Sequence, residues 1–153
     1  MKIAILSGSV YGTAEEVARH AEQHLARQGF HAWHKAQMSL DELLAFGPEA
    51  LLCVTATTGM GELPDNLQPL YYAIRDHLPN WRGRPGAVLA LGDSSYGDTF
   101  CAGGEMVREL YEELGIREVL PMLQLDASET VNPEADAEPW LTELVVQLRA
   151  SQV

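Results

Sequence analysis

Short apolar runs alternate with helix-period segments along the whole chain, and this alternation constrains the fold more than any other feature. Residues 2–6 form a β-rich run that ends in a Ser/Gly turn. Residues 14–28 then place Val17, Ala18, Ala21 and Leu25 on one helical face, closed by Gly29. Residues 30–34 alternate like a second strand. Residues 39–46 make a short helix, with Ser39 and Glu42 at the capping-box positions. Residues 50–56 are almost wholly apolar, as expected of a strand buried on both faces. A helix follows at 66–77, with Asn66 as a candidate cap and Pro79 as its stop. Residues 86–91 repeat the buried-strand pattern, and 103–114 form a helix ended by Gly115. Residues 117–125 are a fifth strand interrupted by Pro121, and 134–150 a last helix with a bend expected near Pro139.

Regular β-α alternation implies a parallel sheet with right-handed crossovers. The expected fold is α/β: a doubly wound five-stranded parallel sheet of order 2-1-3-4-5 with helices on both faces, one domain over residues 1–153. Ligands of such sheets bind at the carboxyl ends of the strands, so the loops there carry the functional question.

Charge narrows the ligand class. The 153 residues have a formal net charge of -12. Residues 1–92 hold 9 acidic and 7 basic side chains, whereas residues 93–153 hold 13 acidic and 3 basic. Such a surface repels phosphate backbones and anionic lipid, so neither nucleic acid nor membrane is an expected partner. Cys53 and Cys101 form no CxxC pair, and no apolar run is long enough for a leader or a membrane span. A cytoplasmic protein is the expectation.

Three strand-end loops stand out. After the first strand, Ser7-Gly8-Ser9-Val10-Tyr11-Gly12-Thr13 is rich in hydroxyls and glycine, lacks Lys and Arg, and opens a helix. Backbone N–H groups at a helix start attract anions. The segment is neither GxGxxG nor GxxxxGK[ST], because Val10 and Thr13 replace the later glycines of the first and Thr13 the Lys of the second. After the third strand, residues 55–66 make a long Gly- and Pro-containing loop, a length that usually marks function. After the fourth, residues 92–104 place Tyr96 and Phe100 in a hydroxyl-rich turn, where an aromatic can stack on a planar ligand. A planar heterocycle with a terminal phosphate fits the set.

These loops resemble those of the flavodoxin family. Ser9-Val10-Tyr11-Gly12-Thr13-Ala14-Glu15 is similar to the family's phosphate loop, especially as found in the FMN domains of diflavin reductases. The segment from Ala56 through Thr57-Thr58-Gly59-Met60-Gly61 to Asn66 resembles the second loop. Leu91-Gly92-Asp93-Ser94-Ser95-Tyr96 with Phe100-Cys101 resembles the third. The likeness spans nearly the whole chain, with no insertion in the fifth strand, as in short-chain bacterial flavodoxins.

The resemblance implies non-covalent FMN and electron transfer. It assigns Ser7, Gly8, Ser9, Val10, Tyr11, Gly12 and Thr13 to the phosphate. Thr57, Thr58, Gly59, Met60 and Gly61 fall along one side of the ring, and Asp93, Ser94, Tyr96, Phe100 and Cys101 along the other, with Tyr96 stacked. Tyr11 replaces a common Thr or Ser, and Thr58 an aromatic over the inner ring face, leaving that face to Met60 or open. Stacking and negative surroundings disfavour an anionic reduced ring, so a low potential is expected. Gly59 is expected to turn its peptide toward the reduced ring.

His20, His24, His31 and His34 have spacing reminiscent of a metal site but no completing carboxylate, and are expected to be solvated. Trp33, Trp81 and Trp140 are expected as core or edge fillers. The expected function is an electron carrier, a monomer serving a flavodoxin reductase and acceptor enzymes through their basic faces. The alternative is an FMN-dependent NAD(P)H quinone or azo reductase, for which the chain has no extra segment. A phospho-receiver domain would need acidic residues where Ser7-Gly8 and Thr57-Thr58 stand.

Overall fold

A computed structural model describes residues 1–152, apart from the side chains of Tyr96, Asp98 and Thr99. Strands β1 (Lys2–Gly8), β2 (His31–His34), β3 (Ala50–Thr55) and β4 (Pro85–Gly92) are parallel in the spatial order β2-β1-β3-β4. The fifth position holds two short strands in line, β5 (Arg117–Glu118) and β6 (Leu123–Asp126). Both are parallel to β4, against Pro85–Gly86 and Leu89–Gly92 respectively. The single strand expected over 117–125 is therefore broken. Pro121 has no N–H to give a ladder, and its carbonyl instead accepts the Trp140 indole N–H at 2.9 Å. The order 2-1-3-4-5 stands.

Helices α1 (Thr13–Arg27) and α5 (Pro133–Ser151) cover one face. Helices α2 (Leu40–Phe46), α3 (Gln68–His77) and α4 (Ala102–Leu114) cover the other. Alternate strand residues feed the two cores: Ile3, Ile5, Leu52, Val54, Leu89 and Leu91 pack under α1 and α5, while Ala4, Leu6, Leu51, Cys53 and Val88 pack under the others. Each fully buried Leu or Ile contributes about 1.5–3 kcal/mol of transfer free energy. Trp81 is buried; Trp33 and Trp140 are partly buried at the core edges.

Local signals explain most boundaries. Ser39 accepts the Glu42 N–H and Glu42 returns a bond to Ser39, completing the capping box. Gly29 and Gly115 follow α1 and α4 in the left-handed region. Asn132 caps α5 by accepting the Ala135 N–H at 3.2 Å, and α5 runs through Pro139 as one element. Asn66 is not a helix cap: α3 starts at Gln68, after a turn in which Leu67 and Gln68 donate to the Pro64 carbonyl.

The histidines are not simply solvated. His20 and His24 both bond the carboxylate of Glu138 on α5, joining helices more than a hundred residues apart in sequence. His24 is only 8% exposed. His34 is partly buried with Nε2 2.8 Å from the Ser7 hydroxyl, and its backbone N–H donates to Glu22. Burial pushes the His34 ring below its ordinary value, opposed by the nearby carboxylates of Glu22 and Glu15. Among the described residues no group of three or more His, Cys, Asp or Glu side chains is arranged to hold a metal ion.

Candidate cofactor cleft

A cleft of about 510 Å³ opens at the carboxyl ends of β1, β3, β4 and β6. The first expected loop contributes Ser9, Val10, Tyr11 and Thr13, joined by Ala14 and Glu16 of α1. The second contributes Ala56, Thr57, Thr58 and Gly59, and the third Leu91, Gly92 and Asp93. Among the described residues no Lys or Arg lines the cleft.

At the first loop the backbone leaves the start of α1 open toward the cleft. Gly12 stands immediately before α1 with φ 92°, a conformation that favours glycine. Its N–H donates to the Ser9 hydroxyl oxygen at 2.6 Å, curling the loop back on itself. No side chain caps α1, so the N–H groups of Thr13, Ala14 and Glu15 have no protein partner among the described residues, and the exposed Thr13 lines the cleft. Arg19 draws Glu15 aside at 2.7 Å. Ser7 and Gly8 lie behind the cleft: Ser7 is buried against His34, and Gly8 fits so closely beneath Thr55 and Leu67 that a Cβ would stand 2.8 Å from Thr55 Oγ1. Their place is to form the strand end on which the loop turns. Asn66 joins the first and second loops by accepting the Ser9 N–H at 3.0 Å.

The second loop is a tight turn. Gly61 N–H donates to the Thr58 carbonyl, Thr58 N–H to the Glu62 carbonyl, and Glu62 N–H to the Thr58 hydroxyl. Thr57 is buried and its hydroxyl oxygen accepts the Gly103 N–H at 2.9 Å, fixing the loop to the start of α4. Met60 is 81% exposed and neither it nor Gly61 lines the cleft, so no side chain of this loop folds over the opening. Tyr11, 94% exposed, stands at the mouth.

In the third loop Asp93 accepts the Ser95 N–H at 2.9 Å and the Ser95 hydroxyl at 2.6 Å, starting a short 3-10 turn over Ser94–Thr99. The expected stacking of Tyr96 lies outside the described residues. Ser94 points to the loop after β6, and Phe100 is partly buried. Cys101 is fully buried beneath the end of β4, in the left-handed region at φ 57°. Burial, then the charges of Asp126 and Glu105, push its thiol up to about 11. It is a floor beneath the cleft rather than a reactive group within it.

Sequence reasoning missed a fourth contributor. Leu125, Ala127, Thr130 and Pro133, from β6, the loop after it and the start of α5, line the cleft beside the third loop. Asp126 binds this segment to Ser94, and the Ala127 N–H donates to the Gly92 carbonyl at 2.8 Å. The available signal was the Asp-Ala-Ser turn pattern directly after the last strand.

The arrangement suits a flavin phosphate. One end offers dipoles and hydroxyls with Glu16 as its charged neighbour and no basic side chain among the described residues, and the remainder is a slot between loops of small and polar residues. Comparison with known proteins agrees. The flavodoxin family profile matches residues 5–140. An uncharacterized protein of Pseudomonas aeruginosa is 73% identical over 149 residues, covering 97% of this chain and 99% of that one. Flavodoxin YqcA of Escherichia coli is 41% identical over 143 residues, covering 92% and 93%. A flavodoxin from Pseudomonas aeruginosa, solved as its C101A mutant, superimposes with a TM-score of 0.95 at 72% identity, covering 97% and 99%. With the cleft at the expected strand ends and these likenesses along nearly its whole length, this chain belongs to the flavodoxin family.

Proposed function

We propose that residues 1–153 act as one domain, a monomeric cytoplasmic carrier that takes low-potential electrons from a reductase and delivers them to acceptor enzymes. FMN is the cofactor of the family and supplies one- and two-electron chemistry when bound. The observation that carries this reading is the cleft itself, with an uncapped helix start at one end and, among the described residues, no basic side chain in its lining. Among the described residues no helix is long and apolar enough to cross a membrane.

In this reading Ser9, Val10, Tyr11, Gly12 and Thr13 hold the phosphate by N–H groups and hydroxyls, on the strand end formed by Ser7 and Gly8. Thr57, Thr58 and Gly59 border one side of the ring, with Met60 and Gly61 shaping their turn. Asp93, Ser94 and Tyr96 border the other, above Phe100 and Cys101. The acidic third-loop side disfavours further negative charge in the slot, which keeps the potential low. Val10, Tyr11 and Met60 are exposed apolar side chains on the first two loops, and Val131 stands between the lining residues Thr130 and Pro133. They give a partner an apolar landing. Asp93 and the α4 carboxylates Glu105, Glu109, Glu112 and Glu113 steer basic faces toward it.

The test is a visible spectrum of the purified protein before and after reconstitution with FMN. Flavin bands are the expected result, and a colourless protein that cannot be reconstituted overturns the reading. The loaded protein mixed with NADPH alone is expected to stay oxidised until a reductase is added. Rapid bleaching without one would favour the quinone or azo reductase. Electron transfer to a basic partner should slow as salt rises, and a rate flat from low to high salt would remove the steering role.

A further inference from the structure

The walls of the cleft differ in what fixes them, and the wall missed in the sequence has a single organising atom. The loop after β4 and the loop after β6 run side by side. Oδ1 of Asp126 accepts the Ser94 N–H at 3.1 Å from the first, and the Ser128 N–H at 3.0 Å and Ser128 hydroxyl at 2.8 Å from the second. The Ser94 and Ser128 hydroxyls meet at 3.0 Å just outside this point. The Asp126 carbonyl accepts the Glu129 and Thr130 N–H groups, so the same residue also turns its own loop. Gly92 and Asp93 on one side, and Ala127 and Thr130 on the other, line the cleft within two or four residues of these bonds.

We propose that Asp126 is a positioning residue for flavin binding, a latch whose Oδ1 holds the loop after β4 against the loop after β6 so that the two form one wall. Charge strengthens each bond to this oxygen. Hydrogen bonding from Ser94, side chain and then backbone, and from Ser128 holds the carboxyl well below the ordinary carboxylate range. The latch therefore stays ionised throughout the neutral and mildly acidic range. The proposal rests on the flavin reading above, and it assigns Asp126 no contact with the cofactor.

The test compares wild type with D126A, D126N and S128A, all prepared without flavin and titrated with FMN and with riboflavin by fluorescence quenching. D126A is expected to weaken both flavins by the same factor, about tenfold or more, because a wall common to both is loosened while the phosphate end is untouched. D126N keeps an oxygen at the Oδ1 position and is expected to stay within about threefold of wild type. S128A should fall between them. Amide hydrogen exchange at Ser94 and Ser128, measured without flavin, should quicken in D126A and not in D126N.

Wild-type affinity in D126A overturns the latch. So does a D126N loss as large as that of D126A, or a loss confined to FMN. If wild type binds neither flavin, the flavin reading fails, while the exchange measurement still decides whether the latch exists. If D126A does not fold, S128A decides: weaker binding of both flavins upholds the latch, and unchanged binding overturns it.

Discussion

The wall built from the first and second loops is held mainly by buried close packing, and the wall built from the third loop and the segment after β6 also by a group of partly exposed side-chain hydrogen bonds. On the first side Gly8 lies beneath Leu67 and Thr55, and Gly103 beneath Ala56 and Thr57, with no room for a Cβ at either. On the second side Gly92 is packed as closely, against Phe100 and Cys101, but Asp93, Asp126, Ser94 and Ser128 add side-chain bonds near the surface. Packing of the first kind tolerates almost no change of volume. Bonds of the second kind tolerate volume but not loss of an acceptor. In the proposed reading the fixed end holds the phosphate and the acidic end meets partners.

The largest effect expected from this contrast is at Gly8. In Gly8→Val the added carbons meet Thr55 Oγ1 and Leu67 within 3 Å, so β1, β3 and the second loop must part. Overpacking of this kind costs about 1–3 kcal/mol. Thermal unfolding should fall by several degrees, and a melting temperature equal to wild type would show that this wall is looser than its packing implies.

Alkali should act next, on the sheet core and on the floor of the third-loop wall. Burial pushes Cys53 up to about 12 and Cys101 up to about 11, both above the ordinary thiol value near 9. A value raised in the folded state means that the stabilisation is present below pH 9 and is lost as pH rises through the folded values. Thermal stability should therefore decline between about pH 9 and 12, with neither thiol alkylated at pH 8. Cys101→Ser should remove only the part belonging to the third-loop floor. Rapid alkylation of the native protein at pH 8 would contradict the burial of both groups.

The same contrast explains what could be read from the chain in advance. The strands under the first and second loops are continuous apolar runs, and the stretch from Ser9 to Thr13 brings consecutive residues to one end of the cleft. Local pattern therefore located that end, although it could not show that Ser7 turns away toward His34. The other wall depends on partners far apart in sequence. Ser94 meets Asp126 across 32 residues, and His20 and His24 meet Glu138 across more than a hundred. Pro121 also broke the fifth strand, obscuring where its loop begins. Asn66 was misread for a related reason: Asn beside a helix pattern has a strong local interpretation as a cap, and only the fold brings Ser9 to it.

Asn66 gives a smaller test of the packed wall, because its side chain adds a cross-loop hydrogen bond to the phosphate loop beside the backbone bond from the Ala56 N–H to the Gly8 carbonyl. Asn66→Ala leaves the Ser9 N–H without its acceptor and should weaken FMN binding by roughly tenfold at most, with little change in riboflavin binding. Equal losses for the two flavins would mean that the tie orders the whole cleft rather than its phosphate end.

The smallest structural effect, and the most specific functional one, is expected at Gly59. It sits second in the Thr58–Gly61 turn, an added Cβ would meet nothing within 4 Å, and its φ is not positive. Gly59→Ala should therefore fold with stability within about 0.5 kcal/mol of wild type. Among the described residues no hydrogen bond restrains the Gly59 carbonyl, so the peptide is free to turn toward a reduced ring. That turn passes through backbone conformations that glycine enters without penalty and alanine does not. Alanine should leave binding of oxidised FMN almost unchanged and shift the potentials measured by redox titration. Unchanged potentials in a normally folded Gly59→Ala protein would show that the second loop is a static border. Cofactor tuning would then fall to the acidic wall that Asp126 holds in place.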